Sequence, residues 1–167
     1  MLDRIKKHPT LSKFLKQECS EQGVAIQIDE RISSDDFIII SPDDYYNSLN
    51  EKRPASVDCL VIQKCNELSY KITLIELKSL HSAHKFDLDN MIEKFQNTLT
   101  DFMSKRFKEE LFKNYQKVDL YFVSNIEIHK RDLGLKLDSL ISKTFEYNGK
   151  KTMLRNRMPN PTIKPCY

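Results

Sequence analysis

SVDCLVIQKCNELSYKITLIELK, residues 56–78, decides the fold. Two apolar runs, 56–64 and 70–78, flank CNELS at 65–69, a linker short enough for an antiparallel hairpin. In both runs aliphatic residues occupy odd and even positions alike, the pattern of strands buried on both faces. Asp58, Glu76 and Lys78 interrupt that pattern. An unpaired ion in so apolar a setting is strongly destabilising, or it changes its charge state.

The register gives these charges a reason to be together. Side chains two apart in a strand point to one face, so Glu76 and Lys78 share a side with Ile72 and Leu74. With the loop centred on Glu67, Lys64 faces Tyr70 and Asp58 faces Glu76. Facing residues have Cβ atoms roughly 5 Å apart on the same face. Two carboxylates so placed repel each other unless something positive lies between them. A divalent cation meets that need, with Lys78 beside it, and hard oxygen donors favour Mg²⁺ or Mn²⁺ over zinc. A second account needs no ligand: Lys78 forms an ion pair with Glu76 or Asp58 where the strands emerge into water.

Working outward, Pro9 and Thr10 open a predicted helix over 9–22, with Leu11, Phe14, Leu15 and Glu18 at helical spacing and Gly23 as its stop. DFIII at 36–40 reads as a strand and SPDD at 41–44 as a turn. A long helix is predicted from Asp87 to Lys113, with Leu88, Met91, Ile92, Phe95, Leu99, Phe102 and Met103 as its apolar stripe. The stripe weakens after Ser104, where a bend is expected. VDLYFV at 118–123 is a further strand, Leu133–Thr144 a second helix and TMLRNR at 152–157 a final strand. The proline-rich tail MPNPTIKPCY reads as extended. The order α-β-β-β-α-β, with a hairpin followed by a crossover helix, predicts an α/β fold with a mixed central sheet and helices on both faces.

Length fits one domain with a hydrophobic core over 1–167, its centre at about 10–123 and a C-terminal helix and tail at 124–167. The net charge of +3 hides an asymmetry: 13 basic and 16 acidic side chains in the first hundred residues, 14 and 8 in the remainder. A basic C-terminal third suits an anionic partner or a solvated surface. Cys19, Cys59, Cys65 and Cys166 form no CxxC pair and lack zinc-finger spacing, so they read as free thiols in a reducing cytoplasm, with Cys59 a small buried hydrophobe. MLDRIKKHPTLSKF lacks the apolar stretch of a signal peptide, and no apolar run nears the ~20 residues that span a bilayer. The expectation is a soluble cytoplasmic protein.

Asp58 on one core strand, Glu76-Leu77-Lys78 on the next and the α-β-β-β-α-β order together resemble the PD-(D/E)xK nuclease superfamily, which includes restriction endonucleases and archaeal-type Holliday-junction resolvases. Pro54 precedes the aspartate without adjoining it, a departure from the motif's name. The resemblance implies a restriction-endonuclease-like core and an Mg²⁺- or Mn²⁺-dependent endodeoxyribonuclease acting on DNA. Asp58, Glu76 and the Leu77 carbonyl would hold the ion, and Lys78 would orient water and stabilise charge on the phosphate. Family members often add a first-helix acid. Of Glu18 and Glu21, Glu18 falls on the apolar stripe and is the choice.

Lys105, Arg106 and Lys108, and Lys150, Lys151, Arg155 and Arg157, form two basic groups suited to the DNA backbone. Tyr45 and Tyr46 are read either as lining a substrate cleft or as ordinary packing. Gln96 reads as a solvated helix residue, and His81 and His84 as loop residues. Cutting both strands of a duplex with one site per chain implies a homodimer. Two alternatives stand beside the nuclease. One is a catalytically silent nucleic-acid-binding module of the same fold in a defence or repair assembly. The other is a different α/β fold in which Asp58, Glu76 and Lys78 form an internal ion-pair network.

Overall fold

A computed structural model describes residues 1–49, 53–79, 87–125, 138–140 and 142–166. The hairpin forms as its pattern predicts. Strands β6 (Cys59–Lys64) and β7 (Tyr70–Lys78) pair antiparallel from Lys64 opposite Tyr70 to Cys59 opposite Ile75. Asn66 closes the turn, its side-chain oxygen accepting from the N–H groups of Leu68 and Ser69. The remaining strands are β1 (Leu15–Lys16), β2 (Ser20–Glu21), β3 (Val24–Ala25), β4 (Gln27–Ile28), β5 (Phe37–Ile40), β8 (Lys117–Ser124), β9 (Thr144–Tyr147), β10 (Lys150–Arg157) and β11 (Thr162–Ile163). Seven of the eleven build a mixed sheet in the order β1-β5-β6-β7-β8-β10-β9. β8 runs parallel to both β7 and β10, and the remaining neighbours are antiparallel.

The chain crosses from β7 to the parallel β8 through α3 (Leu88–Asn97), a π-helical continuation (Thr98–Arg106) and α4 (Lys108–Leu111). Asp87 caps α3 by accepting from the Asn90 N–H. The predicted stripe packs on the sheet: Met91, Phe95, Leu99, Phe102 and Met103 are buried against Leu60, Ile62, Ile72 and Leu74. The expected bend comes at Phe107, whose backbone leaves the helical region before α4 begins. Burying a side chain the size of Phe95 stabilises the fold by about 1.5–3 kcal/mol.

Several expectations are corrected. Residues 9–22 do not form a helix. Leu11–Phe14 is a 3₁₀ turn, Leu15–Lys16 is the edge strand β1, and β2 and β3 make a small ribbon. Gly23, at φ +81, serves the turn of that ribbon and ends no helix. SPDD is a helix start: Ser41 caps α2 (Pro42–Asn47), accepting from the Asp44 N–H, with Pro42 at the first helical position. Among the described residues the helices pack on one face only. The other face carries Cys19, Val24, Ile26 and Ile163 from β2–β3 and from β4 paired with β11, and no helix. β9 and β10 form a hairpin over Asn148-Gly149, both at positive φ, with Thr144 already in a strand. Asn-Gly is the strongest short hairpin signal, and it outweighed the helical reading there. Of the helix expected over 133–144, residues 133–137 and 141 lie outside the described residues, and 138–140 are helical. The tail is extended, as β11.

The four cysteines are not free thiols. Cys19 is bonded to Cys59 and Cys65 to Cys166. The argument from free thiols to a reducing compartment falls with them. No described helix is long and apolar enough to cross a membrane.

The two bridges close loops 40 and 101 residues apart in sequence. By loop-closure entropy each is worth on the order of 4 kcal/mol. Cys19→Ser with Cys59→Ser, which opens one bridge, should lower the Tm by about 10 °C, and reduction, which opens both, by about 20 °C. A melt insensitive to reductant, with all thiols titratable in the native protein, would tell against the pairing.

Candidate functional site

Asp58 lies one residue before β6 begins, next to the rung that pairs Cys59 with Ile75. Extending that register places it opposite Glu76, as the sequence predicts. Asp58 stands two residues from Leu60 and Glu76 two from Leu74, both of which meet α3, so both acids look toward the helical face. Two hydrogen bonds fix the approach of Asp58. The Val57 N–H donates to Thr98 Oγ1 (3.1 Å), and that hydroxyl donates to the Lys94 carbonyl (2.8 Å), which ties the strand to α3. Asp58 Oδ2 then accepts the Leu77 N–H at 2.6 Å, bridging directly to β7.

Glu76 is 1 % exposed. Its Oε1 accepts from Lys94 Nζ at 2.5 Å, and its Oε2 is buried without a hydrogen-bond partner among the described residues. The ammonium group that meets the acid pair therefore comes from α3. Lys78 ends β7 exposed to solvent and pairs with neither acid among the described residues. Lys94 was legible in principle. At 100° per residue it lies about 60° from Met91 on the helix, on the flank of the buried stripe. A lysine there has to find an acid on the sheet beneath it.

Burial pushes Asp58 up to about 6, with Glu21 and Asp43 adding to the rise against Lys94 and the Leu77 N–H. Burial likewise pushes Glu76 up to about 8, and the Asp58 charge pushes it in the same direction while Lys94 opposes. Burial pulls Lys94 down, but Glu76 and Asp58 outweigh it and leave the ammonium above its usual value. At neutral pH Glu76 therefore largely keeps its proton, and the site holds the Asp58 carboxylate and the Lys94 ammonium.

Asp58 opens into a cavity of about 300 Å³ that is also lined by Glu18, Glu21, Asp43, Asp44 and Lys16. Lys16 pairs with Asp44. Glu18 reaches this cavity from the loop between β1 and β2 and not from a helix, and it accepts from Ser20 Oγ. Glu21, on β2, lines the same cavity and raises the proton affinity of both Asp58 and Glu76. The Cys19–Cys59 bridge holds this acidic segment beside Asp58. Among the described residues no three His, Cys, Asp or Glu side chains converge as a ready metal-ligand group.

Other expected residues fall elsewhere. Tyr45 and Tyr46 are buried among Phe14, Phe102 and Phe107, as ordinary packing residues are. Asp101 accepts from the Tyr46 hydroxyl (2.7 Å) and from Arg106 Nε (2.6 Å). Arg106 is thus engaged by Asp101 and by the Tyr45 hydroxyl, while Lys105 and Lys108 are exposed nearby. Lys150 donates to Asn114 and to the Tyr115 carbonyl. Lys151, Arg155 and Arg157 follow on β10. Gln96 is exposed on α3, and His81 and His84 lie outside the described residues. No protein-family model, curated protein or solved structure matches the chain.

Because Asp58 and Glu76 hold protons more tightly folded than unfolded, their contribution to stability is complete below about pH 4. It is lost as pH rises through about 6 and 8. Asp58→Asn keeps an acceptor for the Leu77 N–H and removes one of the two like charges. Chemical denaturation of the metal-free protein at pH 8 should find this variant more stable than the wild type by about 1–2 kcal/mol. Equal stability at pH 5 and pH 8 in the wild type would contradict the burial of these charges.

Proposed function

We propose that the chain is a metal-dependent nuclease that hydrolyses phosphodiester bonds in DNA, with a restriction-endonuclease-like core and the Asp58–Glu76 pair as its centre. One observation supports this above the others. Extending the β6–β7 register by one rung sets the two acids opposite one another, and the buried Glu76 Oε2 has no hydrogen-bond partner among the described residues. A buried, unsatisfied carboxylate oxygen beside a second acid is destabilising unless it keeps a proton or a cation occupies the gap.

The donor set suits Mg²⁺ or Mn²⁺. Mg²⁺ keeps several waters and typically takes one or two carboxylates together with substrate phosphates, so a pair of acids suffices. Asp58 and Glu76 would hold it. The Leu77 carbonyl is a third oxygen, because a strand residue directs its N–H and C=O to the same neighbour, and the Leu77 N–H points to Asp58. The bound ion would supply Lewis-acid polarisation of the phosphoryl oxygen and a more acidic water. The chain's own residues do the rest. Glu18 and Glu21 keep the mouth of the cavity acidic. Lys94 balances Glu76 in the metal-free protein and is the ammonium group nearest the reacting phosphate. Lys78, exposed at the end of β7, meets the incoming backbone. Lys105, Arg106, Lys108, Lys150 and Lys151 are the proposed DNA contacts, and a homodimer would cut both strands.

The Lys94–Glu76 pair favours a second reading, an internal ion-pair network without catalysis. Two measurements separate the readings. Mn²⁺ should raise the Tm of the wild type, more at pH 8 than at pH 6 because it binds the ionised acids, and should leave Asp58→Ala unmoved. DNA incubated with Mn²⁺ should be cut by the wild type, with Asp58→Ala and Lys94→Ala slower by at least about 10²-fold and Lys78→Ala affected less. Cleavage that survives Asp58→Ala, or a wild type indifferent to Mn²⁺, would favour the ion-pair network.

A further inference from the structure

The opposite face of the sheet carries the reverse charge. A cavity of about 570 Å³ is lined there by Arg31, Lys71, Lys117, Arg155, Arg157 and Lys164, with Tyr121 and Pro161 among its apolar walls. Lys71, Lys117 and Tyr121 lie on β7 and β8, in rungs that pair Lys71 with Lys117 and Ile75 with Tyr121. Arg155 pairs with Tyr121 across β8 and β10. Lys164 follows β11, and Arg31 comes from the loop after β4. Lys71 points away from the face of Glu76 and lies five residues from it along β7, about 17 Å. The cavity is therefore separate from the acid pair.

Its electrostatics do not balance internally. Asp119 is 2 % exposed and lies within 4 Å of three cations: Lys117 at 3.2 Å, Lys71 at 3.6 Å and Arg155 at 3.8 Å. Asp29 pairs with Arg31. Among the described residues, six cations against these two acids leave a surplus of four positive charges. Lys71 is 7 % exposed, and the acid beside it, Asp119, is shared with Lys117 and Arg155, so that one carboxylate faces three cations. Arg157 lies over the Tyr121 ring, 5.0 Å from its centroid, which fixes the plane of its guanidinium. Arg155 and Arg157 are the residue type suited to bidentate phosphate contacts. The volume falls in the range of small-molecule sites. Two phosphate groups, at about −1.5 to −2 each, neutralise the surplus.

We propose that this cavity is a binding site for a compact diphosphate-bearing ligand, free pyrophosphate or the diphosphate of a nucleotide. The site stands independently of the nuclease reading. It draws Arg155 and Arg157 into a defined pocket and away from general contact with a DNA backbone.

Calorimetric titration of the full chain with inorganic pyrophosphate and, separately, with ADP, both without divalent cations, tests the proposal. The wild type and Asp58→Ala should bind pyrophosphate saturably and alike. Arg155→Ala with Arg157→Ala, both changes at accessible positions of β10, should weaken binding at least about tenfold while the melt stays cooperative. Lys164→Ala, in the loop wall, provides a second variant should the double one fail to fold, and it should weaken binding as well. ADP binding more tightly than pyrophosphate assigns the site to a nucleotide, and equal affinity assigns it to the diphosphate alone. No saturable binding at millimolar pyrophosphate, or affinity unchanged in both variants, would overturn the proposal. So would binding of these residues to duplex DNA alone.

Discussion

Antiparallel pairing of β6 and β7 places two carboxylates opposite one another at the edge of an apolar layer, and much of the molecule is arranged around that constraint. The strands pair because both are aliphatic on both faces, with Leu60, Ile62, Ile72 and Leu74 buried under α3 and Val61, Ile75 and Leu77 buried beneath the small ribbons. Hydrophobic burial sets the register, and the register leaves Asp58 and Glu76 together whatever their mutual repulsion. The structure tempers that repulsion with Lys94 from above, the Leu77 N–H from the side and partial protonation. Each of these is local and reversible.

The crossover helix does two things at once. Its stripe covers the sheet, and Thr98 and Lys94, one helical turn apart, reach down to the two strands that bear the acids. Thr98 holds the backbone of Val57, so a shift of α3 would move Asp58 with it. The Cys19–Cys59 bridge acts from the other side and anchors the acidic loop of Glu18 and Glu21 to the same strand. The acid pair is thus braced from both sides, by a helix hydrogen bond and by a disulfide.

The sheet also separates charge. Acids gather around the end of β7, with Asp58 and Glu76 on the helical face, and cations on the ribbon face along β8 and β10. Strand alternation makes this possible: Glu76 and Lys71 belong to the same strand but lie on opposite faces. Asp119 anchors the basic group from the floor, although one carboxylate cannot neutralise three neighbours. Where a fold leaves such an excess standing in a cavity, an anionic ligand is the simplest source of balance.

The sequence by itself determined the hairpin, its register and the helical stripe, because these depend on periodicity and on a five-residue loop that permits little else. From the register followed the pairing of Asp58 with Glu76. Tertiary structure alone decided which lysine meets the acids, since Lys78 and Lys94 differ in how the crossover helix is set over the sheet, and chain spacing does not record that. It decided the two disulfides for the same reason, because Cys19 and Cys59 become neighbours only when the β2–β3 ribbon folds onto the sheet. Residues 9–22 misled because Leu11, Phe14 and Leu15 mimic helical spacing. In the fold, Leu15 instead pairs with Ile40 at a sheet edge, where backbone hydrogen bonding across the chain outweighs local propensity. Asn148-Gly149 was legible as a turn, yet the partner that β10 would take, β8 in parallel across a long connection, is a long-range contact that no local pattern encodes.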